Sequence, residues 1–63
     1  MDRQFVISDE EHSLEISRAA AYALESSGYI VPAPSTAGEW RFRPADDYTW
    51  QDVMIALKDS GLR

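Results

Sequence analysis

The stretch Ser8-Asp9-Glu10-Glu11-His12-Ser13-Leu14-Glu15-Ile16-Ser17-Arg18-Ala19-Ala20-Ala21-Tyr22-Ala23-Leu24-Glu25-Ser26-Ser27-Gly28 decides how the rest of the chain must be arranged. Between Ser8 and Ser27 it contains no proline or glycine, and its centre is rich in alanine, the strongest helix former. Ser8 and Glu11 have the spacing of a capping box, in which a hydroxyl and a carboxylate satisfy each other's backbone amides. Asp9, Glu10 and Glu11 would then lie at the positive end of the helix dipole. The reading predicts one helix from Ser8 to Ser27, stopped by Gly28 in the left-handed conformation, with Tyr29 folding back on Leu24.

Working outward, residues 3–7 (Arg3 to Ile7) form a short β-prone run before this helix. Tyr29-Ile30-Val31 is a second such run, cut off by Pro32 and Pro34 and therefore suited to a sheet edge. After a turn-rich loop to Gly38, Glu39-Trp40-Arg41-Phe42-Arg43 alternates with strand period, which assigns Trp40 and Phe42 to the core. Thr49 and Asp52 form another capping box, with Tyr48 placed to staple onto Val53. The last helix is predicted from Trp50 to Asp59, ending at Gly61 with Leu62 folding back on Leu57. The two helix ends look alike, and a shared stop rule explains that without duplication.

The expected fold class is α+β. Its order is βαββα, with a small antiparallel or mixed three-stranded sheet and two helices packed on one face, residues 1–63 forming a single domain. A chain of 63 residues has room for one core, and buries only about 60% of the surface its unfolded form exposes.

Composition narrows the function. Eleven acidic against six basic side chains give a net charge of −5, which repels nucleic-acid phosphates and disfavours a nucleic-acid ligand. The absence of cysteine removes thiolate zinc sites and thiol nucleophiles and fits a reducing, cytoplasmic setting. The opening Met1-Asp2-Arg3-Gln4-Phe5 lacks the basic-then-apolar pattern of a secretory signal, and no apolar run approaches the ~20 residues that span a bilayer.

No catalytic, metal or cofactor site is expected. His12 is the one histidine, and with Glu11 and Glu15 it makes a weak zinc pattern that a solvated residue in a helix cap explains better. The acidic pairs Glu10-Glu11 and Asp46-Asp47, and Asp2 with Asp9, read as caps and solubilising charge. General acid–base work needs a desolvated cleft that so short a chain can scarcely enclose. The glycines stand apart and form no phosphate-cradling loop, and nothing points to a small-molecule ligand.

Apolar residues are left over. On the first predicted helix Ile16, Ala20, Ala23 and Leu24 form a buried stripe, while Leu14, Arg18, Ala21 and Tyr22 lie towards the other side. On the second, Trp50, Val53, Met54 and Leu57 are buried and Ile55 points away. The open sheet face should carry Val6 or its neighbours, one of Tyr29 and Val31, and Arg41 with Arg43. Aromatic and arginine side chains anchor interfaces, so Leu14, Arg18, Tyr22, Arg41, Arg43 and Ile55 are the candidate partner-binding residues. The expected partner is a protein, homomeric (a dimer) or heteromeric. By analogy with tiny acidic phage and mobile-element proteins, anti-CRISPR-like ones among them, the role expected is inhibitor or regulator.

The segment from Glu15 to Pro44, with Ser27-Gly28-Tyr29-Ile30-Val31, a loop, and Glu39-Trp40-Arg41-Phe42-Arg43-Pro44, resembles the recognition helix and wing of small winged-helix proteins such as phage excisionases. That resemblance implies a DNA-binding regulator with Arg41 and Arg43 on the wing. Where a recognition helix presents arginine, lysine, asparagine or glutamine, this one has Glu15, Arg18, Tyr22 and Glu25. A further alternative is an acidic DNA mimic presenting Asp46, Asp47 and the carboxylates of the first helix. The opening from Phe5 to Leu14 is similar to that of MbtH-like chaperones of peptide synthetases. Glu15 stands where that family has tryptophan and its later tryptophan signature is missing, so the family is set aside.

Overall fold

A computed structural model describes residues 4–35 and 38–61. The expectations placed on Asp2, Arg3 and Leu62 lie outside these residues. Among the described residues the order is β1 (Gln4–Ser8), β2 (Ser13–Ile16), α1 (Arg18–Ser26), β3 (Ile30–Pro32), β4 (Glu39–Pro44) and α2 (Trp50–Ser60). The class is α+β as expected, but the sheet has four strands, in the order β2-β1-β4-β3. β1 runs antiparallel to β2 and parallel to β4, and β3 runs antiparallel to β4.

The fourth strand comes from the stretch assigned above to the start of a long helix. Ser8 ends β1 instead of capping a helix, and the Ser8–Glu11 box does not form. The Asp9 carboxylate closes a tight turn, its Oδ1 accepting the amides of Glu11 (2.8 Å) and His12 (2.6 Å). This is the local side chain-to-backbone bonding by which aspartate competes with helix. Partial desolvation, which alone would raise the Asp9 pKa, is outweighed by these two amides and by the His12 side chain, so the carboxyl lies below its ordinary value. Leu14 and Ile16 then pair with Ile7 and Phe5. The pairing with β1 places both on the face that needs apolar side chains, and tertiary context overrides helix propensity.

α1 starts at Ser17, whose side chain accepts the Ala20 amide. Its end follows the sequence: Gly28 (φ 84°) sits past the helix, its amide donating to Glu25 and that of Tyr29 to Leu24, both at 3.0 Å. These two bonds make a Schellman terminus. α2 begins with the expected reciprocal Thr49–Asp52 box and stops at Gly61 (φ 72°). The Tyr48 ring rests on Tyr29.

Both helices meet the sheet in one cluster. Ala20, Ala21 and Leu24 of α1 and Val53 and Leu57 of α2 pack with Ile7, Ile16, Ile30 and Phe42. Ala21 is therefore core, not part of the outer side assigned to it above. Strand alternation puts Val6, Glu15, Val31, Glu39, Arg41 and Arg43 on the opposite face. No helix among the described residues is long and apolar enough to cross a membrane.

Candidate interaction surfaces

Three of the four large apolar side chains left most exposed are aromatic: Tyr22, Trp40 and Tyr48, with Ile55 the fourth. Tyr22 projects from the outer flank of α1 and is 53% exposed. Trp40, expected in the core, is 47% exposed. Its register beside Phe5 puts it on the helix-bearing face, but towards the start of β4, and period-two alternation fixes the face of a strand residue without saying whether a helix reaches far enough to cover it.

Tyr22 and Trp40 border one groove of about 340 Å³, whose walls also include Phe5, Phe42, Pro32 and Arg18. The Tyr22 ring meets Phe5 edge-on at 6.3 Å, and Phe5 stacks on Phe42 at 6.5 Å, so the exposed Tyr22 ring is linked through Phe5 to the buried core. The Arg18 guanidinium lies 5.9 Å from the Tyr22 ring centroid, within cation–π range. Arg18, Arg41 and Glu25 give the groove charges of both signs.

The other candidate residues lie elsewhere. Leu14 is on edge strand β2, not beside Tyr22 on a helix, and is half-buried over a cleft formed with Ile16, Met54 and Leu57. Ile55 is 52% exposed on the outer side of α2, beside Tyr29 and Tyr48. Arg41 and Arg43 lie on the open sheet face as expected, but each has a carboxylate partner. Arg41 Nη2 donates to Glu39 Oε1 at 3.0 Å and Arg43 Nη1 to Asp46 Oδ1 at 3.2 Å. The basic spot these arginines would form is thereby locally neutralised.

Of the carboxylates assigned to a first helix, Glu25 lies on α1, but Glu10 and Glu11 are in the β1–β2 turn and Glu15 is on the open face. His12, expected in a helix cap, instead lies in that turn with Nδ1 3.1 Å from Asp9, its ring stacked on Trp50 at 4.9 Å. This stack ties the first hairpin to the start of α2. Among the described residues no group of three or more histidine or acidic side chains is placed to hold a metal ion. The chain has no significant match among protein-family models, curated proteins or solved structures.

Proposed function

We propose that this protein is a small, non-catalytic protein-interaction module that docks through the Tyr22–Trp40 groove, with a role as inhibitor or regulator of its partner. The observation that carries the reading is that two large aromatic side chains, each about half exposed, border the same groove, with a guanidinium against one of them. Full burial of a large apolar side chain is worth roughly 1.5–3 kcal/mol, so leaving each of these half exposed forfeits about half of that. Rigid aromatic surface beside an arginine is the composition from which interface hot spots are made.

The test uses the whole chain as bait, wild type beside the Tyr22→Ala/Trp40→Ala double variant. A protein retained by the wild type and lost by the folded variant supports the reading. So does a concentration-dependent mass that the same changes abolish, which would identify the partner as a second copy. A wild type that stays monomeric and yields the same captured set as the variant overturns it.

A further inference from the structure

A second exposed patch shares no residue with the groove. Tyr29, Tyr48, Ile55 and Ala56 line a pocket of about 310 Å³ whose remaining lining residues are Asp47, Asp52 and Asp59. Local structure fixes its parts. The Tyr29 amide is held by the α1 terminus and its carbonyl accepts the Ala45 amide at 2.9 Å, while the Tyr48 amide donates to Ala45 at 2.9 Å. The two rings lie 4.7 Å apart, tilted by 51°. Asp52 and Asp59 stand three before and four after Ile55 on α2, so helical spacing puts all three on one side.

The pocket lining carries three carboxylates and no lysine or arginine. No ion pair is formed by Asp47 or Asp59 among the described residues, and Asp52 Oδ2 accepts the Thr49 amide. The net charge of −5 adds a field of the same sign.

These features select among occupants. A neutral apolar segment would cover the exposed Ile55 only by desolvating unpaired carboxylates, which is costly, and an anionic one is repelled. A cationic side chain satisfies both halves of the surface: its alkyl stem lies on Ile55, and its charged head meets the tyrosine faces and the aspartates. We infer that the Tyr29–Tyr48–Ile55 pocket docks a lysine- or arginine-bearing segment of a protein partner.

The whole protein, titrated with capped arginine–serine, lysine–serine and glutamate–serine peptides and followed residue by residue by NMR, tests this. The basic peptides are expected to give saturable shifts centred on Tyr29, Tyr48, Ile55 and Asp59, and the acidic peptide none. Asp47→Asn/Asp59→Asn should weaken binding at least about fivefold, and Tyr48→Leu, which keeps apolar bulk but removes the ring, by a similar factor. Tyr22→Ala/Trp40→Ala should leave this binding unchanged, so loss of the groove reading does not carry this one with it. Shifts spread evenly over Glu10, Glu11 and Glu15 as well, binding that survives in the folded Asp47→Asn/Asp59→Asn variant, or no binding by either basic peptide would each overturn the inference.

Discussion

The Tyr22–Trp40 groove and the Tyr29–Tyr48 pocket are both aromatic and both exposed, the first along the flank of α1 and the second beyond its end, yet they differ in charge. The groove sets Arg18 and Arg41 against Glu25, whereas the pocket's charged side chains are carboxylates alone. In the groove Tyr22 meets Phe5, which stacks on the buried Phe42, while the pocket is assembled where the α1 terminus meets the loop before α2. The contrast teaches that shape and apolar area can serve one surface, while the other is incomplete without a countercharge.

The largest effect should come from the shared foundation. Phe42→Ala removes the buried ring beneath the groove and is expected to cost about 3–5 kcal/mol, comparable with the whole stability of so small a domain. Chemical denaturation should find it largely unfolded, with both surfaces lost. Next, Tyr22→Ala and Trp40→Ala should each weaken partner binding by about 2 kcal/mol or more while thermal melting stays near wild type; a collapsed melting point would make Trp40 structural. Thr49→Ala should cost about 1 kcal/mol in a denaturant titration by removing the cap of α2, loosening the pocket's helix and leaving the groove intact. Asp47→Asn/Asp59→Asn should change stability by no more than about 0.5 kcal/mol. Cation binding at the pocket should fall steeply with added salt, whereas partner binding at the groove should barely respond.

The smallest effect concerns the turn at Asp9, remote from both. Because its folded pKa is depressed, the contribution of Asp9 is present above the ordinary aspartate value and lost as pH falls through the lower folded value. Asp9→Asn should therefore flatten the acid limb of a stability-against-pH curve, and an unchanged limb would assign acid sensitivity to other groups.

What could be read from the sequence divides along the same physical line. Elements set by local rules were legible: the Gly28 and Gly61 stops, the Thr49–Asp52 box, the edge position of β3 and the outward Ile55 each depend on residues a few positions apart. Elements set by strand pairing and packing were not. Ser13-Leu14-Glu15-Ile16 alternates like a strand, but an equally valid helical signature at Ser8 and Glu11 competed with it. What decides between them is Leu14 meeting Ile7 and Ile16 meeting Phe5. Trp40 fails for a related reason, since its exposure depends on how far the helices extend over the sheet. Tyr22 was legible as a leftover of α1, whereas the meeting of Tyr29 with Tyr48 joins two loops that no periodicity connects.

The position of β1, flanked by β2 and by the parallel β4, has a consequence during synthesis. The first hairpin can close early, but the other side of β1 must wait until the chain beyond Gly38 has emerged from the ribosome. Such non-local, parallel closure is slow. A nascent chain would meanwhile present an unsatisfied strand edge bearing Phe5 and Ile7, so the step most open to misassembly is the joining of the two halves of the sheet.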